Sequence, residues 1–280
     1  MRPDDIPKAE IIRQLVGWNQ TEADWHRLLA LAPDGCFVAE ATGGAVGTVT
    51  TTSYGPHLEW IGMLLVHPDY RRQGMGSALL QQAIQHLQGT GVGCIGLDAT
   101  PAGRPLYARA GFGPVWELAR WQGESLPDLR VSTAGGEARA GIPARLWPAL
   151  IDLDRRAFGV ERPELLRALA AQSDRTAVAA DAAGQTVGFG MMRRGARAQM
   201  LGPLVAANAE SAVHILATLW AGLPQQPLVW DIPEPNQAAV QLAESLGFKK
   251  QRTLTRMAYG ATYPTHDSTI LWAIADLATG

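Results

Sequence analysis

The chain repeats itself once. Glu40-Ala41-Thr42-Gly43-Gly44-Ala45-Val46-Gly47 has a counterpart in Asp181-Ala182-Ala183-Gly184-Gln185-Thr186-Val187-Gly188. Ile61-Gly62-Met63-Leu64 matches Leu201-Gly202-Pro203-Leu204, and Ala110-Gly111-Phe112 matches Leu246-Gly247-Phe248. Val46 to Gly111 spans 65 positions and Val187 to Gly247 spans 60. Single short matches arise by chance, but three in one order do not. The period is far too long for a solenoid, so the expectation is two copies of one fold, the second slightly shorter. A chain of 280 residues is long enough for two separate cores.

Within the first copy the pattern alternates. Thr21 can cap a helix carrying Trp25, Leu28 and Leu29, with Asp24 at the capping-box position. Cys36 to Ala39 and Val46 to Thr52 read as a hairpin around Ala41-Thr42-Gly43-Gly44. Trp60 to Val66 is a strand. Leu79, Leu80, Ala83, Ile84 and Leu87 form one apolar helical stripe that Gly89 can end. Cys94 to Ala99 is a buried strand, Arg104 to Ala110 a short helix stopped by Gly111, and Phe112 to Trp121 a further strand. The polar, turn-rich stretch Gly123 to Asp128 marks the domain boundary.

Between the strand ending at Val66 and the helical stripe lies His67-Pro68-Asp69-Tyr70-Arg71-Arg72-Gln73-Gly74-Met75-Gly76-Ser77. A helix start leaves backbone N–H groups without partners, and its dipole favours anions. Gly74 and Gly76 keep side chains away from those donors. Arg71 and Arg72 add positive charge, and Ser77 adds a hydroxyl. Such a loop can cradle a pyrophosphate. It is not a dinucleotide fingerprint, because Leu79 stands at the third glycine position and the loop is too long for the tight strand-to-helix turn. It is not an NTPase loop, because no Gly-Lys-Ser/Thr follows.

Leu64-Leu65-Val66-His67-Pro68 leading into Arg71-x-x-Gly74-x-Gly76, followed by Leu106-Tyr107-x-x-x-Gly111-Phe112, resembles the GNAT superfamily of N-acetyltransferases. The resemblance covers residues 9 to 121 and implies acetyl-CoA as cosubstrate. It implies that the backbone of Leu64, Leu65 and Val66 pairs with the pantetheine arm. It places the pyrophosphate on Arg71, Arg72, Gln73, Gly74, Met75, Gly76 and Ser77. Tyr107 falls where the family keeps the general acid, which protonates the departing thiolate. Two carboxylates compete for the role of base or amine anchor: Glu59, at the start of the strand, and Asp98, at the end of Cys94–Asp98. A water chain is the third alternative. Glu59 turns on strand parity, which one slip or bulge reverses. His57 and His67 read as loop and turn residues. Trp18, Asn19 and Gln20 match the segment that borders the acceptor cleft in this family.

The second copy departs from this pattern. Leu204 to Ala212 has no arginine and no glycine pair, and Glu210 would repel a pyrophosphate at that helix start. Ala243 stands where the first copy has Tyr107. Asn236 and Ala239 keep an N-x-x-A pattern of pantetheine-contacting domains, where the first copy has Thr100 and Gly103.

The expected fold is α/β of the α+β type: two tandem GNAT-like domains, each a mixed, mostly antiparallel sheet flanked by helices. Residues 1–124 form the catalytic domain. Residues 129–280 form a degenerate one that shapes the acceptor cleft. A net charge of -2 argues against nucleic acid as a partner. Cys36 and Cys94 have no metal-ligand spacing, so no metal is expected. No apolar run approaches a membrane span, and no signal-peptide core is present, so a cytoplasmic protein is expected. The expected function is transfer of an acetyl group to a primary amine of a small molecule by direct attack on the thioester. The alternative is a non-catalytic acyl-CoA sensor, which would not need Tyr107.

Overall fold

The computed structural model describes residues 1–124, 129 and 136–280. In chain order the first half contains helices α1 (Ile6–Val16) and α2 (Glu22–Leu31), strands β1 (Cys36–Ala41), β2 (Gly44–Ser53) and β3 (Glu59–Val66), helix α3 (Met75–Gly89), strand β4 (Cys94–Ala99), helix α4 (Arg104–Arg109) and strand β5 (Gly113–Gly123). The second half contains β6 (Gly136–Ala140), α5 (Trp147–Phe158), α6 (Pro163–Gln172), β7 (Arg175–Asp181), β8 (Thr186–Arg193), β9 (Gln199–Ala206), α7 (Ala209–Trp220), β10 (Leu228–Pro233), α8 (Gln237–Ser245), β11 (Lys249–Gly260) and β12 (Leu271–Ala273). The order β2-β3-α3-β4-α4-β5 recurs as β8-β9-α7-β10-α8-β11, as the internal repeat requires. Thr21 stands at the N-cap of α2 as read, and its N–H donates to Asp24 Oδ2 at 2.7 Å while its own side chain makes no cap bond. Ser125 to Asp128, most of the boundary stretch, lies outside the described residues.

The first compact unit comprises Met1–Val115, Thr255–Pro264 and Leu277–Gly280. Its strands run in the order β1-β2-β3-β4-β11, with Thr255 to Gly260 of β11 antiparallel to β4. Two apolar faces cover this sheet. On one, Leu79, Leu80, Ala83 and Leu87 of α3 pack on Val49, Ile61, Ile95 and Leu97. On the other, Ile6, Ala9 and Ile12 of α1 and Trp25 and Leu28 of α2 pack on Met63 and Leu65.

The second unit comprises Trp116–Leu254 and Thr265–Asp276. Its order is β5-β10-β9-β8-β7-β6, with β12 added to β9. Leu118 to Gly123 of β5 pairs antiparallel with β10. Its core includes Trp220, Trp230, Phe248 and Trp272. Each sheet is thus completed by a strand from the other half of the sequence. β5 and β11 both follow a short helix and a Gly-Phe turn, so each carries the pattern that covers such an edge.

Two features of β3 set up the site. First, Met63 has φ 48°, and the register with β2 passes from Thr48↔Leu65 to Thr50↔Gly62, one extra residue on β3. This bulge flips the face of everything before it. Second, β3 pairs with β4 through Glu59↔Ile95 and Trp60↔Gly96, at the start of both strands. Leu65 and Val66 pair on their other side with β2, and their edge toward β4 is left without a strand among the described residues.

Candidate active site

The loop after β3 is built from its own short contacts. Pro68–Tyr70 is a single 3-10 turn, with His67 Nδ1 accepting from the Asp69 N–H at 3.3 Å. His67 is therefore a turn residue, as read. Arg71 Nε donates to Val66 O at 3.1 Å, tying the loop back to the strand end. Gln73 Nε2 donates to Asp69 O at 3.1 Å. Arg72 has φ 61° and Gly74 φ 84°. A left-handed arginine costs about 1–2 kcal/mol, and such strain in a loop is a marker of function.

Helix α3 starts at Met75 with Gly74 as its N-cap, and no side chain caps it. The first helical bond runs from Ala78 N to Gly74 O at 3.0 Å. The N–H groups of Met75, Gly76 and Ser77 therefore have no helical acceptor. Packing does not demand glycine at 76. An added Cβ there would meet Leu106 Cδ2 at 3.6 Å and Val66 Cγ2 at 3.8 Å, ordinary contacts. At Gly74 it would meet nothing within 4 Å. What glycine preserves is open space over a row of unpaired donors beside Arg71 and Arg72. A helix start of this kind suits an anion in charge and hydrogen-bonding sense.

Helix α4 packs onto this start through Leu106. Tyr107, the next residue, is half-buried, and its ring meets Phe112 edge-on at 6.1 Å between centroids. Burial pushes its phenol above the ordinary range, so it holds its proton. Leu64, Val66, Met75, Leu106 and Tyr107 all pack against the α3-side core. The structure thus brings together the β3 end, the arginine-glycine loop and Tyr107.

It places the other candidates elsewhere. Glu59 lies on the α3 face at the far end of β3, about 16 Å along the strand from Leu64. Trp18 packs on the opposite face, among the α1 and α2 residues. The bulge at Met63 decides this parity. Asp98 is bound on both oxygens by Arg256 of β11, Oδ1 to Nε at 2.9 Å and Oδ2 to Nη2 at 2.8 Å. Burial alone would lower the Arg256 pKa, but Asp98 and then Tyr263 raise it overall. The guanidinium also lies over the Trp60 ring at 4.6 Å. Asn19 and Gln20 are buried, and Trp18 O accepts from Arg13 Nη1 at 2.7 Å. His57 is exposed, and Cys36 and Cys94 are buried free thiols.

The equivalent place in the second unit is filled from within. Asn208 caps α7, its Oδ1 accepting from Ser211 N at 2.9 Å. β9 pairs with β10 from Gln199 to Leu201, and β12 then lies along Leu204 and Val205. Asn236 Nδ2 donates to Thr269 O at 2.9 Å and Leu271 O at 3.1 Å. The sequence pattern singled out Asn236 but not its partner. The signal was Leu271-Trp272-Ala273, an apolar run with a tryptophan near the end of the described chain.

Comparisons with known proteins agree with this fold. The Acetyltransferase (GNAT) family profile matches residues 9–112, and an Acetyltransferase (GNAT) domain profile matches residues 150–273. The uncharacterized N-acetyltransferase YitH of Bacillus subtilis is 27% identical over 221 residues, 79% of this chain and 76% of its own. A Pyrococcus horikoshii protein assigned to the acetyltransferases superposes with TM-score 0.84 at 24% identity, covering 100% of this chain and 94% of its own. A tandem GNAT protein of the clavulanic acid biosynthesis pathway superposes with TM-score 0.65 at 15% identity, covering 92% and 95%. Among the described residues no helix is long and apolar enough to cross a membrane. The chain belongs to the GNAT acetyltransferases, as a transferase with two GNAT domains in tandem.

Proposed function

We propose that the first unit binds acetyl-CoA and transfers its acetyl group to the primary amine of a small molecule, and that the second unit has no acyl-CoA site. The observation that carries this reading is the uncapped start of α3, with its glycine pair and two arginines, beside the open edge of β3. The free N–H groups at the helix start hold the pyrophosphate, with Arg71 and Arg72 adding charge. The backbone of Leu64 to Val66 holds the pantetheine arm, which needs an unpaired strand edge. Acetyl-CoA supplies the thioester.

Tyr107 keeps its proton because burial disfavours the phenolate. That makes it a donor to a thiolate leaving beside α4, with recovery from solvent. Asp98 is committed to Arg256, and Glu59 faces away from the α1–α2 side. The amine then loses its proton to water. Trp18, Asn19 and Gln20 border the amine's approach on that side.

The test is Tyr107→Phe, assayed by thiol release from acetyl-CoA across a panel of small amines. Turnover should fall by about 100- to 10,000-fold, the usual span for losing a general acid. Acetyl-CoA affinity should stay within twofold by calorimetry. A chain that binds acetyl-CoA but releases thiol with no amine would return the reading to a sensor. Full turnover in the variant would remove Tyr107 from the mechanism.

A further inference from the structure

The acyl transfer proposed above leaves Glu59 without a role, and its surroundings are unusual. Glu59 is 3% exposed. A carboxylate that deep is normally paired with a cation or bonded by several donors. Other buried acids of this chain follow the rule: Asp98 with Arg256, Asp154 with Arg162, Asp231 with Arg120 and Asp276 with Arg193. Among the described residues Glu59 is hydrogen-bonded by hydroxyls and by no cation. Thr90 Oγ1 lies 2.8 Å from its Oε1 and 2.7 Å from Leu87 O, and one hydroxyl hydrogen cannot serve both. Ser53 Oγ stands at 3.4 Å, the outer edge of hydrogen bonding. Both contacts fall on Oε1. Burial holds the Glu59 carboxyl above its ordinary range, against the hydroxyls and His86, which favour the charged form.

Beside this carboxylate opens a pocket of about 370 Å³. Asp34, Thr51, Ser53, His86 and Thr90 line it together with Glu59. They come from the α2–β1 turn, β2, β3, α3 and the turn after α3, so the pocket is framed by several elements of the first unit. Thr51 Oγ1 already donates to Gly35 O at 2.9 Å, so it can only accept from a guest. The polar groups that line the pocket beside Glu59 thus include hydroxyls already used as donors and a second acid, Asp34.

We propose that this pocket binds a small organic cation, held through a primary ammonium group by Glu59. An ammonium offers three N–H donors and a charge, which are what Glu59 lacks. A metal ion is the weaker fit, because among the described residues no three His, Cys, Asp or Glu side chains are grouped to ligate one. The volume sits at the low end for small-molecule sites, which suits a guest of metabolite size. The site lies at the opposite end of β3 from the arginine-glycine loop, so it does not depend on the acyl-transfer reading.

The test titrates the full chain with ethylammonium chloride at constant ionic strength, followed by calorimetry and thermal unfolding. The wild type should bind saturably and unfold at a higher temperature. Glu59→Gln keeps the shape and removes the charge, and should weaken binding at least tenfold. Ser53→Trp, at an exposed position, fills the pocket while leaving Glu59 intact, and should abolish binding. Tetramethylammonium, which has no N–H, should bind at least tenfold more weakly than ethylammonium. Equal binding by the wild type and both variants would place the amine elsewhere, the acceptor cleft included, and overturn the proposal. So would the lack of a saturable response in a folded wild type.

Discussion

The starts of α3 and α7 occupy equivalent places in the two units and end in opposite states. At α3 the cap is a left-handed glycine without a side chain, and the first-turn N–H groups have no helical acceptor. At α7, Asn208 and Ser211 bond each other and Glu210 stands in the first turn. The strand before each helix repeats the contrast. β3 leaves the edge of Leu64 to Val66 open, whereas β12 lies on Leu204 and Val205 and Asn236 fastens the approach to it. Every helix start and strand edge leaves backbone groups that need partners. Among the described residues the first unit leaves them open, whereas the second caps α7 through Asn208 and covers β9 with β12. On the proposed reading, losing such a ligand site takes more than deleting arginines and glycines; the ligand's hydrogen bonds must be replaced.

The largest test of this contrast removes the replacement. Trp272 is 1% exposed, its Nε1 donates to Ala206 O at 2.9 Å, and its carbonyl accepts from Trp230 Nε1 at 2.7 Å. Trp272→Ala should destabilise the protein by about 3–5 kcal/mol, the usual cost of emptying a buried tryptophan site. Denaturant unfolding measures it. Calorimetry on the folded variant should still give one acetyl-CoA per chain, because the α7 start has no glycine pair and no arginine. A second equivalent would break the comparison.

Next in size is the cradle itself. Gly74→Glu forces a side chain into φ 84° and brings a carboxylate to the helix start. Acetyl-CoA affinity should fall about 100-fold, or about 2.7 kcal/mol. The fold should survive, because an added Cβ at Gly74 meets nothing within 4 Å. Unchanged affinity would move the pyrophosphate to another part of the chain.

Much of this was legible from the residues. The repeat put Gly62 and Gly202 in register, and both are positions of close approach. A Cβ at Gly62 would sit 2.3 Å from Ala278 O, and one at Gly202 2.0 Å from Ile274 O. The apolar stripe of α3, the Thr21–Asp24 cap and the strand–loop–helix order also read directly, because they rest on local periodicity and capping. What stayed hidden depends on distant partners. β5 and β11 share one pattern, and a period of two does not say which edge a strand will join. Asp98 looked available because Arg256 lies 158 positions away. Glu59 could not be assigned a face without the bulge at Met63.

A smaller effect compares the two caps directly. Asn208→Ala removes a side-chain cap and should cost about 1 kcal/mol of stability. Gly74→Ala should cost about as much, because alanine resists a left-handed φ. The two variants should therefore look alike in thermal unfolding. They should differ in calorimetry, where only Gly74→Ala weakens acetyl-CoA. If Asn208→Ala also weakened it, the α7 start would be serving the ligand and not only its own helix.

The smallest expected effect concerns how buried charge is held. Asp98 in the first unit and Asp154, Asp231 and Asp276 in the second are paired with arginines, whereas Glu59 is bonded by hydroxyls. Burial raises the Glu59 pKa in the folded state above its unfolded value. Its contribution to stability is then fully present below the ordinary carboxylate range and is lost as pH rises through the raised value. Glu59→Gln has no proton to lose. The wild type should therefore lose stability relative to Glu59→Gln as pH rises through that window. Ethylammonium should restore part of the loss by supplying the missing positive charge, and only above the window, where the carboxylate is ionised. A stability difference that stayed flat with pH would mean that the charge of Glu59 is already compensated in the free protein, and the contrast with the arginine-paired acids would not hold.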